Sequence, residues 1–311
     1  MSLFFKSSVV LLSLLFSNHL IAKEDRVIYG EDDRQDVFEL DVLRNVELAR
    51  STAAMINSRS LRFDFINQTY SVANPTTLEK RSNVCPSVKF ADQPAVSVCS
   101  GFLVADDILV TAGHCFDVAV VENACANYQW VFDYKMDTQQ AINLESMDKN
   151  NVYSCSKVIK QAYNPRTGED FAIIQLSRKV VGRTPLKINR DKSVNVGTDL
   201  MIIGNPWGLP TKISANAEVK GYSKMRPFNF EANLDSFQGN SGSAVLNAAT
   251  GAVEGILVAG KIDAVPSIEN DLQSCKVLNF CSDDGGKTCT ENQRLNFELV
   301  TTISTILPYL P

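Results

Sequence analysis

Three observations predict that this 311-residue chain folds as an all-β protein, a barrel or a sandwich. Short β-branched and apolar runs follow one another from Ala95 onward: Ala95 to Cys99, Phe102 to Val104, Ile108 to Thr111, Val152 to Ile159, Phe171 to Leu176, Leu200 to Ile203, Lys212 to Tyr222, Ala244 to Leu246 and Val253 to Val258. Turn-forming residues separate these runs, and no long helical period comes between them. With 45% hydrophobic and 21% charged residues, the chain can bury a sizeable core in one large or two smaller domains.

In chain order, Met1 to Ala22 carries one early lysine, Lys6, then the apolar run Val9 to Phe16 broken by Ser13, and ends on a small residue. This is the pattern of a secretory signal peptide cleaved after Ala22. The run is shorter than the about 20 apolar residues of a membrane span, so no membrane partner is expected once the signal is removed. All eight cysteines, at positions 85, 99, 115, 125, 155, 275, 281 and 289, follow the signal. An even number in an exported chain points to disulfides and a secreted or periplasmic location. Removing the signal leaves a single histidine, His114, and there is no Cys-x-x-Cys pair, so neither a metal nor another cofactor is expected. A net charge of −5 gives no reason to expect a nucleic-acid partner. No feature of the sequence specifies an oligomeric state.

Lys23 to Arg81 contains no cysteine, and Val37, Leu40, Leu43, Val46, Ala49, Ala53 and Ile56 recur at helical spacing. That segment is expected to be an N-terminal extension, either a helix packed on the body of the protein or a pro-region, with the main domain over residues 82–311. Arg26 and Lys80-Arg81 offer basic processing sites. Asn205 to Pro210 is a turn-rich connector. At the far end, Val300, Ile303, Ile306 and Leu307 share a helical face, which predicts a C-terminal helix over Leu299 to Leu310.

Three short stretches carry chemistry. Ser241 sits in the glycine-rich turn Gly239-Asn240-Ser241-Gly242-Ser243, just before an apolar strand. A serine presented this way becomes a nucleophile if a base takes its proton and amide donors hold the oxyanion that forms. His114, at the end of a strand in Thr111-Ala112-Gly113-His114-Cys115, is the one ordinary imidazole base of the mature chain. Asp170 opens the apolar run Phe171 to Leu176, where a carboxylate needs a partner, and the Nδ1–H of a histidine would supply one. The order His114, Asp170, Ser241 differs from the Asp-His-Ser and Ser-acid-His orders of unrelated folds that carry the same three groups.

Together these blocks resemble the motif set of trypsin/chymotrypsin-like serine proteases. Val27-Ile28-Tyr29-Gly30 and Leu234 to Val245 resemble the bacterial glutamyl endopeptidase branch. The resemblance covers Pro86 to Lys261. It implies a double six-stranded antiparallel β-barrel with His114, Asp170 and Ser241 in the cleft between barrels, protein or peptide substrates, and an oxyanion hole formed by the Gly239 and Ser241 amides. It also implies a Cys99–Cys115 disulfide. A local Cys125–Cys155 bridge is favoured among the 15 pairings open to the other six cysteines. The chain departs from the family at Asn240, which stands where trypsin-like zymogens keep the aspartate that a new N-terminal amine pairs with; in the glutamyl branch a freed N-terminus helps to bind substrate instead.

The resemblance places Asp235, Leu257 and Gly260 in the substrate pocket. Asp235, six residues before Ser241, favours a basic residue before the scissile bond, and Leu257 replaces the histidine of Glu-specific relatives. Glutamyl specificity and an inert protease-like binding domain remain the alternatives. Lys261 and Asp263 are expected to be solvated surface residues, with the pocket rim as the alternative.

Overall fold

Twelve strands close into two six-stranded antiparallel barrels in the computed structural model, which describes residues 28–116, 124–191, 193–267, 275–283 and 297–310. The strands are β1 Thr52–Asn57, β2 Ser97–Ala105, β3 Ile108–Thr111, β4 Tyr128–Phe132, β5 Val152–Asn164, β6 Glu169–Leu176, β7 Asp199–Gly204, β8 Lys212–Tyr222, β9 Asn229–Ala232, β10 Ala244–Asn247, β11 Val253–Ala259 and β12 Glu298–Thr302. The first barrel runs β5-β6-β3-β2-β1-β4 and closes through β4 on β5. The second runs β7-β10-β11-β12-β9-β8 and closes because β8 also pairs with β7. Closure leaves no unpaired strand edge within either ring. The fold class is the one the sequence predicts.

Each barrel fills its interior with large apolar side chains. Phe102, Leu109, Trp130 and Phe171 are buried in the first, and Val219, Phe230, Val245 and Val300 in the second. Disulfides join Cys99 to Cys115, Cys125 to Cys155 and Cys85 to Cys275, the last spanning 190 residues. Cys281 is also disulfide-bonded. The signal peptide, the Arg26 site and Cys289 lie outside the described residues.

Two helical expectations are corrected. Residues 36–56 do not form one helix: a 3₁₀ turn at Val37–Glu39, the helix α1 Leu43–Ala49 and then β1 share the stretch. The apolar spacing merges a short helix with a strand, and Ala53, Ala54, Met55 and Ile56 are fully buried because β1 lies between β2 and β4. At the other end, Glu298–Thr302 is a strand bonded to β9 and β11. Only 3₁₀ turns follow, at Ile303–Thr305 and Leu307–Tyr309. Pro308 removes a helical donor, so the strand pairings decide the conformation.

Residues 28–81 are therefore built into the body. Beyond β1, Gln35–Asp36 extends β8, and Ile28–Tyr29 pairs in parallel with Phe280–Cys281. Buried Lys212 donates to Asp36 Oδ1 and to Gln93 Oε1, fixing the segment to the second barrel. Burial lowers the Lys212 ammonium to about 8 against the pull of Asp36.

A chain starting at Ser82 would leave β2 and β4 without their shared partner. It is expected to lack a cooperative melting transition by circular dichroism, whereas a chain starting at Ile28 keeps one. Equal melting of the two would contradict the role given to β1.

Candidate active site

The strand register brings a histidine to a carboxylate. Thr111 on β3 pairs with Ala172 on β6, so three residues beyond Thr111 the chain comes level with the start of β6. There the 3₁₀ turn Gly113–Cys115 turns His114 toward Asp170. Gly113 permits this approach, since a Cβ at that position would collide with the Ala162 carbonyl. Asp170 is 7% exposed. Its Oδ1 accepts the His114 backbone N–H at 2.9 Å, and its Oδ2 lies 2.7 Å from His114 Nδ1. A carboxylate at Nδ1 selects the tautomer that carries its proton there, which leaves Nε2 as an acceptor. Ser241 Oγ lies 2.8 Å from that Nε2. The Cys99–Cys115 disulfide ties the histidine turn to β2.

Ser241 comes from the second barrel, in the turn before β10. Gly239 and Gly242 have φ of +96° and +87°, a region that costs other residues strain. A Cβ at Gly242 would also strike Ser100 O and Thr111 Oγ1. Among the described residues, neither the Gly239 nor the Ser241 amide donates to a protein acceptor. Asn240 is buried, and its Oδ1 accepts from Ser243 Oγ at 3.2 Å.

Two polar clamps hold the halves together. Ser100 on β2 donates its N–H to Ser241 O at 2.8 Å and its hydroxyl to Gly239 O at 2.9 Å, and accepts the Asn205 N–H at 2.9 Å. In the opposite direction, Asn229 Nδ2 and Thr301 Oγ1 of the second barrel donate to Gly168 O, at 3.0 and 3.2 Å, in the turn that leads into Asp170. The sequence reading missed Ser100, Asn229 and Thr301, because single polar residues inside strands carry no local signal.

A further anchor sits behind the nucleophile turn. Asp263 Oδ2 accepts the Gln238 N–H and the Trp207 indole N–H, both at 2.8 Å. Burial raises its carboxyl to about 6 despite those two bonds. This corrects the solvated surface role expected for Asp263, which lines the pocket and holds two donors. Buried Arg34, paired with Asp32, lies 4.3 Å from the centre of the Phe237 ring, a cation–π contact on the same turn.

A pocket of 190 Å³ opens beside Ser241, and Gln238, Leu257, Gly260, Lys261, Asp263 and Glu298 are among its walls. Leu257 and Gly260 line this pocket. Asp235 does not. It is 4% exposed and turned away, with Oδ1 accepting the Tyr29 N–H at 2.8 Å. Burial, with Asp33 and Asp32 nearby, pushes its carboxyl well up. A wider groove of 620 Å³ continues past Trp207 and Ile262 to Arg81 and Lys276.

Chemically, this arrangement can pass the serine proton to the imidazole while the carboxylate stabilises the resulting charge. Residues 99–256, just over half the chain, match the family model of the trypsin-like peptidase domain. A solved structure described as a Glu endopeptidase in complex with MPD is 17% identical, with coverage of 75% of this chain and 88% of that chain and a TM-score of 0.45. No curated protein sequence gives a significant match.

Ser100→Ala leaves the buried Asn205 N–H without its acceptor. It is expected to cost about 1–3 kcal/mol in urea unfolding, and an unchanged midpoint would remove the clamp's importance. Asp263 gives a pH-dependent expectation. An acid whose pKa is raised by folding contributes most when protonated, below its unfolded value of 3.8, and that contribution is lost as pH rises through about 6. The melting temperature of the wild type relative to Asp263→Asn should therefore fall from pH 4 to pH 7; a gap moving the other way would contradict the burial effect.

Proposed function

The chain belongs to the trypsin-like peptidase domain family, and from that premise we propose that it is a secreted serine endopeptidase using Ser241, His114 and Asp170. The observation that carries this reading is the continuous relay from Asp170 Oδ2 through the His114 ring to Ser241 Oγ, with contacts of 2.7 and 2.8 Å.

In this mechanism Ser241 Oγ attacks the peptide carbonyl carbon as its proton moves to His114 Nε2. The Asp170 carboxylate holds the imidazolium, and the Gly239 and Ser241 amides receive the oxyanion, a contribution of roughly 3 kcal/mol per donor. His114 then protonates the departing amine, leaving an ester on Ser241. Water, deprotonated by the same imidazole, releases the acid and restores the serine. The groove past Trp207 and Ile262 offers the peptide a path on one side of the scissile bond.

Export is supported by the disulfides, since every cysteine among the described residues is bonded. Among the described residues no helix is long and apolar enough to cross a membrane. For maturation we favour the cut after Arg26 over the one after Arg81. The latter bond lies in the helical turn Leu78–Ser82, where Arg81 donates to Ala95 O at 2.8 Å. With Asn240 as a buried amide, an ion pair between a new N-terminus and that position is not part of this activation.

Ser241→Ala is expected to lower kcat on peptide amides by roughly 10⁴-fold or more and to abolish the single fluorophosphonate adduct that intact mass should show on the wild type. Full hydrolysis by the variant would sink the serine mechanism. A folded wild type that takes no adduct would instead identify an inert protease-like binding domain.

A further inference from the structure

The pocket beside Ser241 ends on a carboxyl group that no motif pointed to. Glu298 opens β12, is 1% exposed, and still forms part of the pocket lining. Gly260 makes room for it, because a Cβ at that position would collide with Glu298 Oε2. Three donors aim the carboxyl: Ser236 Oγ donates to Oε2 at 2.6 Å, the Lys261 N–H donates to Oε1 at 3.2 Å, and the Tyr29 hydroxyl donates as well. A carboxylate has about four acceptor sites, so these three bonds orient Glu298 and still leave it room for one more donor.

The charges around the pocket are unbalanced. Glu298 and Asp263 supply two carboxyls, against one cationic side chain, Lys261. Burial pushes Glu298 up to about 8 and Asp263 up to about 6, so both carboxyls pay for desolvation that a cation entering the pocket would relieve. Leu257 and Ala259 give the walls an apolar stretch suited to the methylene stem of a long side chain. An acidic side chain would instead add to the cost of ionising both carboxyls, with a single lysine to offset it.

We propose that Glu298 is the residue that selects a cationic side chain, Arg or Lys, before the scissile bond, and that Asp235 has no direct part in that choice. The proposal rests on the serine endopeptidase reading. It moves the selecting acid from the segment before the nucleophile to the first residue of the last barrel strand. Asp235 serves instead to hold the Tyr29 amide behind the pocket wall.

The test measures kcat/KM on peptide amides that differ only in having Arg, Lys, Leu or Glu before the scissile bond, using the mature full chain, Glu298→Gln and Asp235→Asn. The wild type should favour Arg or Lys over Leu by roughly 100-fold, and Glu298→Gln should lose most of that ratio, while Asp235→Asn keeps it. A wild type that favours Glu or Leu, a ratio that survives Glu298→Gln, or a ratio that collapses in Asp235→Asn would each overturn the assignment. If Glu298→Gln does not fold, inhibition of the wild type by benzamidine against neutral benzamide decides. Benzamidine should compete at least about 10-fold more tightly, and equal inhibition overturns the proposal. Absence of a fluorophosphonate adduct on folded wild type overturns the serine mechanism itself, and the pocket assignment with it.

Discussion

Ser100 reaches from one barrel into the other at the point where alignment matters most. Its amide, its hydroxyl hydrogen and its hydroxyl lone pairs are all engaged, by Ser241 O, Gly239 O and Asn205 N–H. Apolar packing between barrels would tolerate a slide of an ångström, whereas short hydrogen bonds do not. A reactive constellation must be held to within about half an ångström. The Gly168 carbonyl, gripped by Asn229 and Thr301, does the same for the carboxylate half. Each barrel thus orients a side chain that belongs to its neighbour, and the 2.7 and 2.8 Å contacts among Asp170, His114 and Ser241 depend on both grips.

Around this frame lie several buried and half-buried ionisable groups. Arg34 with Asp32, Lys212 with Asp36, and the carboxyls of Asp235, Asp263 and Glu298 surround the Ser241 turn and its pocket. Hydrophobic residues of similar volume would often be at least as stable as buried ion pairs. These charges instead fix positions: Arg34 lies on Phe237, Asp263 holds Gln238 and Trp207, and Lys212 docks the N-terminal segment.

The sequence made some of this legible and hid the rest for physical reasons. His114, Asp170 and Ser241 were readable because each sits in a local run whose glycines and flanking strand are needed for its geometry. The barrels were readable from eight of their twelve strands, since β-branched runs announce themselves. Tyr128–Phe132 and Asn229–Ala232 mix polar with apolar residues, Glu298–Thr302 shares its apolar spacing with the turns that follow it, and the strand Thr52–Asn57 continues the spacing of the helix before it. Asp235 illustrates a different limit: its offset from Ser241 is a sequence fact, but the direction of its side chain is decided by Tyr29, more than 200 residues away. Glu298 and the Cys85–Cys275 bridge are equally nonlocal, and no window of sequence contains both partners.

β12 joins the second barrel last in chain order, yet it carries Thr301 to the Gly168 carbonyl and closes the ring between β9 and β11. Because a polypeptide emerges from the ribosome N-terminus first, His114, Asp170 and Ser241 are all made before that strand exists. The growing chain then has the three side chains but lacks the strand that completes their alignment. On the proposed serine mechanism, the order of synthesis thus postpones hydrolytic competence until Glu298–Thr302 has been made.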